Sequence, residues 1–145
     1  TGKLIILLDA DILVPKNFIE GHISAHNQDI LCVGRVDGYD DDDECKSETT
    51  TTKKDVRWGI DLDRAPLKWA LCWTGNVSFP RKYLDKGIFF DENFLGWGGE
   101  DLEWAYRMEK NGANIKFLPW VSGSHIPHHR DVAKNREEEK RNFCI

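Results

Sequence analysis

The sequence predicts an α/β domain, in which buried strands alternate with helices. Three observations indicate this class. Residues 3–8 predict a strand buried on both faces, because Lys3 is followed by a continuous apolar run of suitable length and β-branched content. A helical pattern over residues 15–27 and a second predicted strand over residues 29–36 follow, which predicts a β-α-β unit with a right-handed connection. A further helical pattern covers residues 100–111.

Length and composition limit the possible classes of protein. The 145 residues, 40% of them hydrophobic, suit one domain with one core. A net charge of -5, with no basic run among the aromatic residues, argues against nucleic-acid binding. The chain begins at Thr1 without a methionine, so we expect a piece of a longer protein. Four widely spaced cysteines form no C-x-x-C pair, so we expect them to be mostly reduced: Cys32, Cys45, Cys72 and Cys144.

Two aspartates follow the first predicted strand. Asp9 and Asp11 flank Ala10, and strand alternation places both side chains on one side as the strand ends. Paired carboxylates can hold a hard divalent cation, and in open α/β sheets ligands bind at the carboxyl ends of strands. The alternative is that an aspartate caps the following helix.

The first predicted helix runs from Pro15 to about Asn27. His22 and His26 lie four residues apart on it, which is the spacing of a metal-binding pair. No third ligand is near in the sequence, so we favour a solvated or core-edge position for both. Residues 37–54 are rich in acids and then in threonine, and we expect them to form a mobile surface loop.

The middle of the chain predicts short elements. Residues 54–68 predict a short helix and a turn, and residues 69–79 predict a strand interrupted at Gly75 and Asn76, where a glycine indicates a bulge or a close backbone approach. A short helical turn starting at Pro80 follows.

A glycine-rich turn then leads into the helix over residues 100–111. It carries one exposed aromatic residue, Trp97, and it delivers Glu100 and Asp101 to the first helical turn. There the helix dipole favours ionised carboxylates unless burial opposes it, and an ionised carboxylate beside a ligand is a candidate general base. Ordinary helix capping is the alternative. Three glycines permit positive φ and the close approach of another molecule, which we expect to be a ligand: Gly96, Gly98 and Gly99.

The same helix has a predicted apolar stripe, and the chain beyond it predicts two strands. The stripe consists of Leu102, Ala105 and Tyr106, with Trp104 and Met108 beside it. The strands cover residues 115–118 and 121–125, on either side of Pro119. Three histidines follow, either as metal ligands or as a polar tail: His125, His128 and His129. The charged residues 131–143 predict a solvated helix or a lid that orders with a ligand.

Together these motifs resemble the GT-A glycosyltransferases. The resemblance is strongest to family 2 enzymes of the chondroitin-polymerase kind and to the β-1,4-galactosyltransferases, with their shared C-terminal domain. Three segments carry it in order: Asp9 to Asp11, like the family D-x-D; residues 74–81 through 96–101, like the "GN…P … GWGGED" block; and a histidine before a charged tail. The resemblance implies a Rossmann-like GT-A fold, with a mixed central sheet flanked by helices.

The resemblance also implies roles on the donor side. Asp11 matches a ligand of the Mn²⁺ or Mg²⁺ ion that clamps the diphosphate of a nucleotide sugar, with a UDP-sugar as the expected donor. Asp9 matches the residue that touches the ribose or the metal. For the second metal ligand, the likeness to an H-x-R-D segment favours His128, whereas the spacing before the charged tail favours His125.

On the acceptor side, the resemblance implies inverting transfer to a hydroxyl group of a glycan or another acceptor. Asp101 matches the general base, Glu100 matches an acceptor-binding residue, and Trp97 matches the residue that stacks on the acceptor and also borders the donor. The remaining residues of the acceptor-binding motif are Asn76, Gly98 and Gly99.

Domain boundaries follow from these matches. We expect residues 1–145 to form a single GT-A domain or the C-terminal part of one, lacking the N-terminal strands that bind the nucleoside, so that donor binding would be incomplete. Its predicted parts are the D-x-D β-α-β unit (1–36), the acidic loop (37–54), the acceptor and catalytic part (69–130) and a charged tail or lid (131–145).

Two other functions remain open on the sequence. A retaining enzyme like the polypeptide N-acetylgalactosaminyltransferases would need no general base, and a non-catalytic carbohydrate-binding module would keep only Trp97 and the glycine turn. The expected location is cytoplasmic or peripheral to the membrane in a bacterium, and the Golgi lumen in a eukaryote.

Overall fold

A computed structural model of the chain describes residues 2–26, 28–38, 54–128 and 131–144. Among the described residues, five strands form one sheet: β1 (Leu4–Leu8), β2 (Ile12–Leu13), β3 (Ile30–Asp37), β4 (Asn76–Pro80) and β5 (Asn114–His125). The helices in the same residues are α1 (Phe18–Ala25), α2 (Lys82–Asp85), α3 (Glu100–Lys110) and α4 (Val132–Asn142). The described part of the connection from β3 to β4 contains three short 3₁₀ helices: Val56–Gly59, Leu62–Arg64 and Lys68–Leu71. The predicted α/β class is confirmed.

The sheet is mixed, with the strand order β1-β4-β3-β5-β2. Strands β3 and β5 pair in parallel, and the other neighbours pair antiparallel. The predicted β-α-β unit is therefore split, because β4 lies between β1 and β3. The expectation that β1 is buried on both faces is wrong: β1 lies at an edge of the sheet formed by the described residues, and its side chains are only partly buried.

The two faces of β3 carry the core. Leu31 and Val33 pack into the larger cluster, which includes Trp104 and Met108 of α3. Ile30 and Cys32 alternate with them and pack with Phe18 of α1 on the opposite face. Helices therefore cover both faces of a mixed sheet, which is the architecture expected of a GT-A-like fold.

The predicted position of α3 is confirmed, but its predicted apolar stripe is not. Its buried residues are Trp104, Ala105 and Met108, whereas Tyr106 is 43% exposed. Phe79 of β4 meets the Trp104 ring edge-on at 5.1 Å, and Phe90 stacks on it at 5.0 Å. The buried face is thus the one that also carries Asp101, three residues before Trp104.

Three predicted boundaries differ from the structure. Helix α1 begins at Phe18 rather than at Pro15. Residues 69–75 do not extend β4, because the chain turns through the 3₁₀ helix Lys68–Leu71 before the strand begins at Asn76. The two predicted C-terminal strands form one strand, β5, and its pairing with β3 jumps from Leu118 to Ser122, so that Pro119, which has no N–H to donate, falls within the irregularity.

A buried ion pair holds the first 3₁₀ helix against β3. The side chains of Asp55 and Arg57 are almost fully buried, and Nη2 of Arg57 lies 2.5 Å from Oδ2 of Asp55. Asp55 also accepts a hydrogen bond from the backbone N–H of Val36 at 3.0 Å, and Arg57 donates to the carbonyl oxygen of Leu71 at 3.1 Å. These bonds satisfy charges that would otherwise be costly to bury.

Residues 39–53, which hold most of the predicted acidic loop, lie outside the described residues. In the described parts of the chain, every helix is too short or too polar to cross a bilayer. Cys32, Cys72 and Cys144 are free thiols, and Cys45 lies among the residues that are not described.

A tight approach at Gly34 gives a test of the fold. A β-carbon at this residue would overlap the Asn76 amide and the carbonyl oxygen of Val121, both of which are fixed within the sheet. We expect Gly34→Ala to lower the free energy of unfolding by about 1–3 kcal/mol, measured by urea denaturation.

Gly59→Ala is the matched control, because nothing lies within 4 Å of a β-carbon added at this exposed glycine. Equal stability of the two variants would contradict the packing described around Asn76.

Candidate active site

The turn between β1 and β2, which carries Asp9 and Asp11, is bonded to two segments that carry or adjoin other predicted site residues. Leu8 pairs with Asn76 across β1 and β4, and the backbone N–H of Asp9 donates to the carbonyl oxygen of Gly75 at 3.0 Å. Two residues on, the carbonyl oxygen of Asp11 accepts a hydrogen bond from the N–H of Ile126 at 2.7 Å. The turn is thus fixed to the start of β4 on one side and to the end of β5 on the other.

The side chain of Asp11 faces two histidines. Its Oδ2 atom lies 3.0 Å from Nε2 of His128 and 3.4 Å from Nε2 of His125. One ligand atom from each of the three residues lies within 4.8 Å of the others. Pairing of β2 with β5 explains the arrangement, because it places Ile12 opposite His125.

These residues fit a divalent cation. A carboxylate oxygen and two imidazole nitrogens form a usual donor set for a first-row transition metal. In addition, Oδ1 of Asp11 is buried and has no hydrogen-bond partner among the described residues. The structure brings both candidate histidines, buried His125 and half-exposed His128, to the same carboxylate. His129 lies outside the described residues.

Asp101 lies in the first turn of α3 and is held by Thr74. The Thr74 hydroxyl donates to Oδ1 of Asp101, and the Thr74 backbone N–H donates to Oδ2 at 3.2 Å. Burial raises the pKa of Asp101, while the two bonds from Thr74 and the charge of Arg57 oppose the rise, and the nearby Asp9 carboxylate adds to it. A carboxylate that is positioned in this way and made more basic by burial can accept a proton.

Glu100 lies beside Asp101 with similar electrostatics. Burial raises the pKa of Glu100, and the neighbouring Asp101 and Asp9 carboxylates raise it further, against hydrogen bonds from the backbone of Glu100 and Gly98. Its Oε2 atom is buried with no hydrogen-bond partner in the described parts of the chain. The sequence predicted ionised carboxylates here unless burial opposed ionisation, and burial does oppose it.

The glycine-rich turn has the predicted backbone conformation. Gly96, Gly98 and Gly99 have φ values of 80°, 95° and 96°, and Trp97 between them is 50% exposed. The expectation that a ligand occupies the space beside these glycines needs correction. Helix α4 occupies it: a β-carbon at Gly96 would overlap the carboxylate of Glu138.

The side chain of Asn76, a predicted acceptor-binding residue, forms its hydrogen bonds within the core of the sheet. Its side chain is buried, and Nδ2 donates to the carbonyl oxygens of Val121, at 3.0 Å, and Arg35, at 3.3 Å. Its Oδ1 atom lies 3.0 Å from Nε2 of His22. Asn76 thus joins β4, β3, β5 and α1, and its contacts are structural.

The two histidines of α1 belong to the same network. His22 is fully buried, which corrects the solvated or core-edge prediction, and His26 is partly buried. The amide of Asn76 accepts through Oδ1, so Nε2 of His22 carries the proton and Nδ1 accepts from the Ser78 hydroxyl at 2.8 Å. Nε2 of His26 then donates to the Ser78 oxygen at 2.7 Å.

Two residues that support the site were not predicted from the sequence. Thr74 lies within the motif at residues 74–81, and its contact with Asp101 spans 27 residues. Arg57 lies with its guanidinium 4.5 Å from the ring centre of Trp73, next to Thr74. The Asp55-x-Arg57 spacing could have indicated an ion pair, but nothing in the sequence indicated where it would lie.

Comparison with known proteins identifies the class. Residues 55–130, just over half of the chain, match the family described as the N-terminal domain of galactosyltransferase. This match and the mixed sheet flanked by helices define a GT-A-like glycosyltransferase domain. The chain belongs to the galactosyltransferase-domain family that it matches.

Several relatives are similar over part of the chain. The validoxylamine A glucosyltransferase of Streptomyces hygroscopicus subsp. jinggangensis (strain 5008) is 38% identical over 76 residues, which are 52% of this chain and 18% of the relative. The chondroitin synthase of Escherichia coli is 33% identical over 94 residues, 60% of this chain and 13% of the relative. The hyaluronan synthase of Pasteurella multocida is 45% identical over 51 residues, 35% of this chain and 5% of the relative. The chain spans less than a fifth of each relative.

The buried His22 predicts a pH dependence of stability. Burial lowers the pKa of His22 from 6.5 to about 4. Between these values the unfolded chain binds the proton and the folded chain does not. The contribution of His22 to the free energy of unfolding is therefore fully present above about pH 6.5. It falls by about 3 kcal/mol as the pH decreases towards 4.

Urea denaturation at pH 7.0, 5.5 and 4.5 measures this loss. His22→Gln, which cannot titrate, should be less stable at pH 7.0 but should lose less stability on acidification. An identical acid dependence in the variant and the wild type would contradict the assignment.

Proposed function

We propose that the chain supplies the metal-binding and acceptor-activating part of an inverting glycosyltransferase that uses a UDP-sugar. The observation that supports this most is the position of the Asp9–Asp11 turn. On one side Asp9 lies close enough to Asp101 to raise its pKa, and on the other Asp11 faces His125 and His128. The three residues from Asp9 to Asp11 thus connect the candidate cation site to the neighbourhood of the candidate base, Asp101.

Asp11, His125 and His128 would hold the divalent cation. Two imidazoles favour Mn²⁺ over Mg²⁺, because Mg²⁺ prefers oxygen ligands and retains water. When bound, the ion would offset the negative charge that develops on the UDP leaving group. This also explains how an acidic chain, with a net charge of -5, can bind an anionic donor.

Asp101 would act as the general base. Thr74 orients its carboxylate, and burial makes it more basic than an exposed aspartate. As the acceptor oxygen forms its bond to the anomeric carbon, its proton passes to Asp101, and the bond between that carbon and the UDP oxygen breaks. Trp97, half exposed in the glycine-rich turn that leads into α3, would stack on the acceptor sugar, and Glu100 would accept a hydrogen bond from that sugar.

Metal dependence can be tested directly by calorimetric titration of UDP with and without Mn²⁺. We expect binding to require Mn²⁺ and to weaken at least tenfold in Asp11→Ala, because the ion loses its carboxylate ligand. Asp63→Ala removes an exposed carboxylate of the 3₁₀ helix Leu62–Arg64, which is not one of the proposed ligands, and serves as the control. UDP binding that is equally strong without metal would contradict the proposed cation site.

The role of Asp101 can be tested with Asp101→Asn. We expect a loss of about 10²–10⁴-fold in kcat, with UDP and Mn²⁺ still bound, because the amide keeps the shape but cannot accept the proton. In the wild type, activity should rise with pH through a midpoint above the ordinary aspartate pKa, since burial raises the pKa of Asp101.

The measurements are transfer rates from a panel of UDP-sugars and NMR assignment of the product anomer. Retention of the anomeric configuration with full activity in Asp101→Asn would favour a retaining enzyme. Binding of glycans without any dependence on metal or nucleotide would favour a carbohydrate-binding module.

A further inference from the structure

Side chains of α4, the last helix of the described chain, form hydrogen bonds with the backbone of the glycine-rich turn. Oε2 of Glu138 accepts from the backbone N–H of Trp97 at 2.9 Å. Nδ2 of Asn142 donates to the carbonyl oxygens of Gly98, at 2.8 Å, and Trp97, at 3.3 Å. Arg141 donates to the carbonyl oxygen of Leu95. Three side chains of α4 therefore bind the backbone of the turn at Trp97 and at residues before and after it.

The steric fit shows that this contact is close. A β-carbon at Gly96 would overlap the Glu138 carboxylate, and one at Gly98 would lie 3.2 Å from Cβ of Glu139. The glycines thus serve two needs at once, a positive φ and the approach of a helix. Although α4 is highly charged, Asn142 is only 2% exposed. The helix is therefore packed against the turn and is not simply solvated.

We propose that Glu138 and Asn142 are positioning residues of the acceptor site. Their side chains fix the backbone at residues 95–98, and so hold the Trp97 indole where the acceptor sugar stacks. This inference rests on the proposed function, because it assumes that Trp97 binds the acceptor.

The physical argument concerns conformational entropy. A turn with three positive-φ glycines has a wide choice of backbone conformations, and few side chains of its own restrict it. If α4 did not hold the turn, acceptor binding would have to order it, and affinity would fall by that cost. Metal-dependent UDP binding, which we assign to Asp11 and the two histidines, should be unaffected, because the α4 hydrogen bonds described above are made to the backbone of residues 95–98.

The test compares four proteins: the wild type, Glu138→Ala, Glu138→Gln and Glu137→Ala. Glu138→Ala removes the acceptor for the Trp97 N–H, whereas Glu138→Gln keeps an oxygen that can accept it. Glu137→Ala is the matched control, because Glu137 has the same charge, lies on the same helix and is exposed. Asn142→Asp provides a second probe, since it keeps the shape but replaces the donor with an acceptor that faces two carbonyl oxygens.

We expect hydrogen exchange at the amides of residues 95–99 to accelerate about tenfold in Glu138→Ala, and in Asn142→Asp, while Glu138→Gln and Glu137→Ala remain near the wild type. For the methyl glycosides of galactose, glucose, N-acetylglucosamine and glucuronic acid, Glu138→Ala should raise the acceptor KM about tenfold and change kcat little. Manganese-dependent UDP binding should be the same in all variants.

Unchanged exchange in Glu138→Ala, or faster exchange without a change in acceptor KM, would overturn the proposal. A wild type that transfers no sugar to these glycosides would instead count against the proposed function. In that case saturation-transfer NMR of glycoside binding, which needs no turnover, decides the positioning role: equal binding by the wild type and Glu138→Ala would overturn it.

Discussion

The buried amide of Asn76 is the constraint on which both the fold and the site depend. It bonds to the backbone of β3 and β5 and to His22 of α1, while its own residue begins β4. Gly34 leaves the space that these bonds need. The bonds to His22 and to the carbonyl oxygen of Val121 are buried, so the loss of either would leave a polar group without water or protein to satisfy it. The position of β4 within the sheet is therefore sharply defined.

The site inherits its geometry from this position. Thr74 and Gly75 come directly before Asn76, and through them β4 holds Asp101 by two hydrogen bonds and Asp9 by one. Arg57 restrains the chain just before this segment by its bond to the carbonyl oxygen of Leu71. Asp9 and Asp101 lie near each other because the backbone that leads into β4 is bonded to both residues. Few rotatable bonds separate the core from these two carboxylates, which favours a fixed geometry of the candidate site.

Local patterns in the sequence predicted much of this arrangement. The α/β class, the helix at Glu100 and the positive φ of Gly96, Gly98 and Gly99 follow from apolar periodicity and from glycine chemistry, which act over a few residues. The edge position of β1 did not follow, because an apolar run does not reveal which strands will lie beside it.

Contacts between distant residues were beyond the sequence analysis for the same reason. Thr74 meets Asp101 across 27 residues, and Trp97 meets Glu138 across 41. The buried network of His22 likewise depends on partners 54 and 56 residues away. For the glycine-rich turn, composition correctly indicated that something must come close, but helix α4 of the same chain does so. The clustering of His125 and His128 in the sequence indicated a metal site. Their approach to the same Asp11 carboxylate depends on the pairing of β2 with β5, which the sequence did not reveal.

The crowding of Asp9, Glu100 and Asp101 opposes the proposed activity to thermal stability. Each of the two α3 carboxylates has its pKa raised by burial and by its acidic neighbours, so the folded chain carries a local electrostatic penalty that the unfolded chain lacks. Amide replacements at these positions would relieve that penalty and would be selected in a screen for heat resistance alone. Engineering this domain for stability should therefore leave the three acids unchanged and look for its gains in other parts of the chain.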